Sequence, residues 1–159
     1  MRRKVLIVSG TAFAAIALYP LRETVAPEWR LAVADESGTP MAGVTVREVW
    51  QDYTVESQSH EEDRTTDAKG NIIFEKRTAR FPLIRRAYGV AWNVVSTGAH
   101  ASFGPHASLV IGYPAGYGNN DAEEDGRNEA VWVGGSGVIY KSLILHHCRN
   151  GLKGIVCMQ

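Results

Sequence analysis

Net charge, internal repeats and low-complexity segments are all missing from this sequence. Its 17 basic and 17 acidic residues cancel, which gives no reason to expect nucleic acid as a partner. Apolar residues make up 45% of the chain and charged residues 21%, the usage of a folded globular protein rather than of a disordered one. With 159 residues, the chain has room for one domain with a proper core and too little for two.

The N-terminus differs in composition from the rest of the chain. Basic residues at positions 2–4 precede an apolar run over residues 5–19, the pattern of a secretory signal peptide. The run is shorter than the ~20 residues of a usual membrane-spanning helix, and residues 15–17 offer the small side chains that a signal peptidase reads. The pattern favours a cleaved signal over residues 1–19, with an uncleaved membrane anchor as the alternative. No cysteine stands directly after the run, so a lipid anchor has no attachment atom there.

Export to the periplasm or the cell envelope would place the two cysteines in an oxidising compartment. If the chain turns at residues 152–153, Cys148 and Cys157 face each other and could close a disulfide. If it turns at residues 150–151 instead, Cys148 lies opposite Lys153 and no bond follows. The sequence leaves both turns open and slightly favours the disulfide.

Short alternating segments dominate the body of the chain, residues 29–159. Trp29, Leu31 and Val33 alternate with charged or small residues, the period of a strand with one buried face. Similar segments separated by turn residues recur up to residue 147, and no βαβ repeat occurs among them. The body is therefore predicted to be all-β, an antiparallel Ig-like or transthyretin-like β-sandwich of about seven strands with one short helical insertion.

Three stretches interrupt the strand pattern. Residues 20–28 carry two prolines and little periodicity, which predicts a linker. The polar residues 56–64 are predicted to form a long exposed loop. Residues 81–95 have apolar side chains at three- and four-residue spacings, which predicts a short amphipathic helix despite Gly89 in its interior.

Turn-forming residues separate the first strands. Gly38 and Pro40 set a turn, Gly43 lets the backbone enter the next strand, and Asp67 with Gly70 closes the following hairpin.

These turns, in the segments GTPMAGVTV at residues 38–46 and TDAKGNIIF at residues 66–74, resemble the carboxypeptidase regulatory-like domain family. The resemblance covers roughly residues 29–75 and implies a transthyretin-like β-sandwich. In metallocarboxypeptidases this module accompanies a zinc peptidase domain and is not itself catalytic. The resemblance therefore implies a fold and no activity.

Two acidic segments invite a metal-binding interpretation. His60 precedes three carboxylates at positions 61–63, but position 64 is arginine, so the helical spacing of two zinc-binding histidines is missing. Residues 121–126 hold Asp121, Glu123, Asp125 and Gly126 and resemble the start of a calcium loop, whose closing carboxylate is replaced by Trp132. Solvated charged loops are the favoured interpretation of both segments.

The other histidines and a group of arginines are further candidates for a binding site. His146 and His147 are neighbours on a predicted strand and should point to opposite faces, whereas a site formed by His100 and His106 stays open. Arginines can bind anions through paired N–H groups, although a solvated helix face or pairing with acidic residues is favoured for this set, which comprises Arg77, Arg80, Arg85 and Arg86.

No residues converge on a catalytic set. Ser136 lacks the glycine two positions later that a nucleophile elbow requires. The leading hypothesis is therefore a noncatalytic exported module of the cell envelope with a protein or glycan partner. It has no predicted cofactor or metal, and it contacts a membrane only through its N-terminal segment. The alternative is a metal-binding or metal-dependent enzyme domain that uses the histidines and the acidic loops.

Overall fold

The computed structural model describes residues 2–112, 114–115, 117–118, 130–135, 137–147, 149–151 and 154–156. The cysteines, Ser136 and the acidic residues 121–126 lie outside this described part, and the hypotheses that rest on them stay predictions. The helices are Arg2–Leu18 (α1) and Leu83–Thr97 (α2). The strands are Pro20–Ala26 (β1), Glu28–Asp35 (β2), Thr45–Asp52 (β3), His60–Thr65 (β4), Asn71–Phe74 (β5), Arg77–Pro82 (β6), Pro105–Gly112 (β7), Tyr117–Gly118 (β8), Ala130–Val133 (β9), Val138–His147 (β10), Arg149–Gly151 (β11) and Gly154–Val156 (β12).

Two four-stranded sheets, with strand orders β5-β2-β10-β8 and β4-β3-β7-β9 in the described part, face each other and form a β-sandwich. Their inward side chains form one buried cluster, as the alternation along β2 predicts. Trp29 and Phe74 from one sheet meet Val46 and Leu109 from the other. Burial of each such side chain stabilises the folded state by roughly 1.5–3 kcal/mol. The two sheets with one shared core confirm the predicted sandwich fold.

The sandwich is not wholly antiparallel, which corrects one detail of the prediction. β10 runs parallel to β2, with Val138 opposite Glu28 and Leu145 opposite Asp35. Alternation assigns side chains to the two faces of a strand but carries no information on strand direction. The described part also has twelve strands rather than about seven, several of them only two to four residues long.

The predicted linker is instead a strand. β1 pairs antiparallel with β6, so that Pro20 lies opposite Pro82 and Leu21 opposite Phe81. Val25 and Ala26 at its end are buried. Prolines are tolerated here because Pro20 and Pro82 stand at the ends of a two-stranded sheet, where fewer backbone donors are needed.

The predicted loop at residues 56–64 contains β4. This strand has no apolar side chain to bury, and it lies at the edge of its sheet beside β3. Its register places Asp63 opposite Arg47, whose Nε and a terminal nitrogen lie 2.7 and 2.8 Å from the two carboxylate oxygens. Cross-strand charge pairs therefore stabilise β4 in place of hydrophobic burial, and its charges guard the sheet edge against pairing with other chains.

The turn before β5 has the geometry that its sequence indicates, but it joins strands of the two different sheets and is not the predicted hairpin. The Asp67 carboxylate accepts hydrogen bonds from the backbone N–H groups of Lys69 and Asn71, both at 2.8 Å. Gly70 has a φ of 73°, and a Cβ there would lie 2.3 Å from the Val33 carbonyl oxygen. Glycine is therefore required at position 70 by both backbone conformation and space.

The hairpin of β11 and β12 bears on the disulfide hypothesis. Gly151 lies opposite Gly154 and Arg149 opposite Val156, which is the strand pairing that the hypothesis needs, while residues 152–153 and both cysteines lie outside the described residues. The bond itself stays a prediction.

The predicted amphipathic helix is confirmed as α2. In the described part of the chain, neither helix combines the length and the apolar content that crossing a membrane would require.

Candidate functional site

The histidines are spread over the sandwich. His60 stacks on Trp50 with ring centroids 5.4 Å apart, and His106 meets the Tyr53 ring edge-on at 4.9 Å, while His100 lies in a short 3-10 turn after α2. Nowhere in the described residues do three or more His, Cys, Asp or Glu side chains gather as metal ligands would.

His146 and His147 both approach Glu36. Their Nδ1 atoms lie 3.4 and 3.5 Å from its two carboxylate oxygens, although neighbouring residues on a strand should point apart. The long Glu36 side chain, in the turn after β2, reaches both rings.

The carboxylates that follow His60 bind arginines. Glu61 and Asp63 both pair with Arg47, whereas Glu62 pairs with Arg64 at 2.6 Å and with Arg77. Hydrogen bonds from Arg64 and then Arg77 lower the pKa of Glu62. These side chains link β3, β4 and β6 and form an ion-pair network rather than a metal site.

Two buried carboxylates lie beneath this network. Glu48 on β3 is fully buried, and its Oε2 accepts a hydrogen bond of 2.8 Å from Arg77 Nε. Asp52, also fully buried, lies 3.5 Å from Arg86, which pairs with Glu23 as well. Burial raises the pKa of both Glu48 and Asp52. Each carboxylate thus has an arginine partner and lies inside the fold.

The predicted arginine cluster is dispersed by these contacts. Arg77 and Arg86 bind the buried carboxylates, and Arg85 donates to the Val55 carbonyl oxygen at 2.8 Å. Arg80 remains exposed on β6, and no carboxylate in the described part of the chain pairs with it.

A groove of about 600 Å³ crosses the outer face of strands β5, β2 and β10. Its floor is the small side chain of Ala32, which lies in register between Asn71 and Ser142. The next outward position on β2 is Arg30, which lies between Ile73 and Tyr140. The Tyr140 ring is 71% exposed, and the Arg30 guanidinium carbon lies 5.8 Å from its centroid.

Sequence reasoning missed this groove. Its only signal is an alanine at an outward strand position with larger residues on the neighbouring strands, and that signal is readable only when the register is known. Because β10 comes over 100 residues after β2, the pairing of Arg30 with Tyr140 has no local trace in the sequence.

The other conspicuous surface is the outer side of α2. Its half-buried residues, Arg86, Gly89 and Asn93, follow the three- and four-residue spacing of one helix face. Asn93 Nδ2 donates to the carbonyl oxygens of Tyr53 at 2.7 Å and Ser102 at 3.2 Å. The apolar residues lie on the remaining surface and are exposed: Leu83, Ile84, Tyr88, Val90, Trp92, Val94 and Val95.

α1 adds a second apolar surface and lies in contact with α2. Phe13, Ile16 and Leu18 on α1 are 74%, 62% and 62% exposed. Only Tyr19 lies between the end of α1 and Pro20, the first residue of β1, so no flexible linker separates the helix from the paired strands.

The fold and these surfaces define a β-sandwich module with an apolar pair of helices and an outward groove. No protein-family model matches the sequence, so the resemblance to the carboxypeptidase regulatory-like family rests on the turn motifs alone. No curated protein matches it either.

Two solved structures are similar to this chain. One is a Streptococcal ancillary pilin, at 12% identity and a TM-score of 0.42, over 77% of this chain and 32% of that one. The other is the shaft pilin spaA from Lactobacillus rhamnosus GG, at 12% identity and a TM-score of 0.38, over 80% of this chain and 52% of that one. This chain thus spans about a third of the first and half of the second. Likenesses of this strength carry no argument about function.

Proposed function

We propose that this chain is a noncatalytic β-sandwich module of the cell envelope, held at a membrane by α1 and binding a glycan in the groove over Ala32. The observation that carries the proposal is the direct connection of α1 to β1. α1 begins with three basic residues, and after Tyr19 the chain continues into a strand that is hydrogen-bonded to β6. A membrane-inserted α1 would therefore hold the sandwich close to the lipid surface.

The noncatalytic part rests on how the ionisable side chains are used. Glu48 and Asp52 are buried against arginines, and the carboxylates of β4 pair with arginines across strands. A general acid or base has to reach a substrate, and these groups face their structural partners instead.

The glycan part rests on the composition of the groove. An exposed Tyr140 ring and the Ile73 side chain supply apolar surface, and Arg30, Asn71 and Ser142 surround them with hydrogen-bonding groups. A shallow groove that combines one exposed aromatic ring with hydrogen-bonding groups beside it suits a sugar chain.

The tether predicts that charges placed on α1 release the protein from lipid. In flotation with phosphatidylcholine–phosphatidylglycerol vesicles, the full chain should float, and the double substitution Phe13→Asp, Ile16→Asp should reduce its vesicle affinity at least tenfold. The reason is that a charged side chain costs about 2.5 kcal/mol or more in the apolar part of a bilayer. The matched control is Val131→Asp, Val133→Asp on β9, where the native side chains are 62% and 64% exposed. Equal loss in both double variants would disprove the tether.

The groove predicts that filling its floor abolishes glycan binding while the fold is kept. Ala32→Leu should weaken binding of short hexose and N-acetylhexosamine oligosaccharides beyond detection in calorimetric titration. Tyr140→Ala should weaken it about tenfold, the effect of losing an aromatic contact of ~1–2 kcal/mol.

The control for this experiment is Val110→Leu, which enlarges a half-exposed side chain on the outer face of the other sheet. It should bind as the wild type does. The glycan proposal fails if no oligosaccharide binds the wild-type protein, or if Ala32→Leu binds as tightly as the control. If a protein binds the wild type but not the Ala32→Leu variant, the groove binds a protein partner rather than a glycan.

A further inference from the structure

The amphipathicity of α2 is reversed relative to the sandwich. A surface helix normally buries its apolar stripe and exposes its polar face. In α2 the face toward the sandwich consists of Arg86, Gly89 and Asn93, and none of its residues is buried. The apolar side chains over the rest of α2 stay largely exposed, and Tyr88 and Trp92 border a groove between the helix and residues 51–57. Exposed apolar surface of this extent marks an interaction site.

The close packing of α2 explains how a polar face holds the helix in place. At Gly89 the helix lies directly against the Thr54 backbone, so close that a Cβ at position 89 would overlap the Thr54 carbonyl oxygen. Arg85 and Asn93 donate to the Val55 and Tyr53 carbonyl oxygens on either side of this contact. The helix is thus fixed through its backbone and polar groups, which leaves its apolar side free.

α1 and α2 leave the sandwich at the same place. α1 leads into Pro20 and α2 follows Pro82, and these two prolines are register partners at one end of the β1–β6 pair. The helices are also in contact with each other. Any surface that receives α1 therefore lies beside α2.

Two arginines lie opposite each other near the proline end of the β1–β6 pair. Arg22 and Arg80 are register partners on β1 and β6, on the same face as the two prolines. Both are exposed, and no carboxylate in the described residues pairs with either; Arg22 donates only to Thr78 Oγ1, at 3.2 and 3.3 Å. Like charges directly opposite on a strand pair destabilise it, so an anion between them would be favourable.

We propose that α2 lies along the membrane surface beside α1 and that Arg22 and Arg80 bind the phosphate groups of anionic lipids. The inference rests on the proposed tether, since α1 brings α2 to the bilayer. The arginines lie two positions from the end of the strand pair, a distance of about 7 Å, which places them at headgroup depth when the helices lie in the interface.

The nature of the exposed side chains favours lipid over a protein partner or a second copy. Tyr19 at the end of α1 is 62% exposed, and Tyr88 and Trp92 along α2 are 67% and 60% exposed. Tyrosine and tryptophan concentrate at membrane–water interfaces. A second copy would bring two more unpaired arginines to the same surface, where the charges would repel. Anionic lipid supplies the apolar layer and the opposite charge together.

Trp92 makes the inference testable by fluorescence on the full chain. Trp29 and Trp132 are buried, and Trp50 is covered by Arg77 and His60, so Trp92 should dominate any change on lipid binding. Addition of phosphatidylglycerol vesicles should shift the emission to the blue, and lipids brominated near the headgroup should quench it. In the Trp92→Phe variant, which still floats, both effects should vanish.

The arginine pair is tested by affinity for the same vesicles. Arg22→Gln, Arg80→Gln should weaken binding about fivefold for each arginine removed and should leave binding to uncharged phosphatidylcholine vesicles unchanged. The control is Lys76→Gln, which removes an exposed cation at the turn between β5 and β6. It should bind as the wild type does.

The two proposals fail in distinguishable ways. Absence of flotation by the wild-type chain overturns the tether itself. If the wild-type chain floats but the Trp92 emission does not change, the tether stands and the role of α2 is overturned. The same conclusion follows if the arginine variant and the Lys76 variant lose equal vesicle affinity. A blue shift that appears without vesicles and rises with protein concentration, together with a dimer in sedimentation, would assign the surface to a second copy.

Discussion

Replacing Arg77 with methionine is expected to lower the free energy of unfolding by about 3–5 kcal/mol. Arg77 Nε donates to the fully buried Glu48, the same guanidinium pairs with Glu62, and it lies 3.9 Å from the centroid of the Trp50 ring. Methionine keeps much of the apolar stem but leaves the Glu48 carboxylate buried without its counter-charge. Urea unfolding followed by circular dichroism measures the loss.

The loss should depend on pH with a definite sign. Burial raises the pKa of Glu48 above its ordinary value of 4.5, so the folded state holds a proton that the unfolded state has released. The contribution of Glu48 to stability therefore falls as pH rises through 4.5 and stops falling once the pH exceeds its folded-state pKa. Without Arg77 that pKa rises further, so the fall should extend to higher pH in Arg77→Met than in the wild type.

Arg47→Met is the matched control for this prediction. Arg47 also pairs with two carboxylates, Glu61 and Asp63, but its side chain is 48% exposed, so the expected loss is below about 1 kcal/mol. Adding Glu48→Gln to Arg77→Met should recover much of the stability, because the buried charge is then gone. Equal losses in Arg77→Met and Arg47→Met would contradict the assigned role of the buried pair.

Local patterns predicted the parts of this fold that depend on neighbouring residues. The alternation of Trp29, Leu31 and Val33 predicted a half-buried strand because the two faces of a strand meet different environments. Asp67 and Gly70 predicted a turn because an aspartate side chain and a glycine backbone can close it without distant contacts. The helix at residues 81–95 was predicted from spacing alone.

Distant pairing is what the sequence did not reveal. β4 has no apolar residue to mark it, and it is a strand because Arg47 on β3 binds its carboxylates. The prolines of β1 suppress the strand pattern and favour a linker, whereas its partner β6 begins more than 50 residues later. Both strands are stabilised by tertiary contacts, which override local propensity.

The candidate surfaces were hidden for related reasons. Apolar residues at helical spacing indicate a helix with an apolar face, and such a face is usually packed against the core. Here Gly89 lets the opposite face pack, so the apolar face turns outward. The groove over Ala32 depends on three strands from distant parts of the chain. Sequence reasoning could therefore identify the elements but not the side that each presents.

Replacing Gly89 with alanine is expected to destabilise the protein although it favours the helix. In an isolated helix the change would stabilise by about 1 kcal/mol. In α2 the new Cβ would overlap the Thr54 carbonyl oxygen and lie 2.8 Å from its carbon. Overpacking of this kind costs about 1–3 kcal/mol, and occasionally more, so we expect a net loss that also loosens α2.

Thr54 has little freedom to move away from the added methyl group. Its N–H donates to the buried Asp52 carboxylate at 2.9 Å, and its hydroxyl oxygen accepts from the Gly104 N–H at 2.8 Å. The helix must therefore shift, which would pull Asn93 from the Tyr53 carbonyl oxygen and speed hydrogen exchange of the α2 amides. Hydrogen-exchange mass spectrometry measures that opening directly.

Gly10→Ala in α1 is the matched control, because it makes the same change in a helix where no atom lies within 4 Å of the new Cβ. It should leave the unfolding free energy unchanged or slightly raised, and exchange in α2 should stay slow. If Gly89→Ala behaved in the same way, the close contact with Thr54 would not be what fixes α2. The outward orientation of its apolar side would then need another cause, and the proposed membrane face would lose its structural basis.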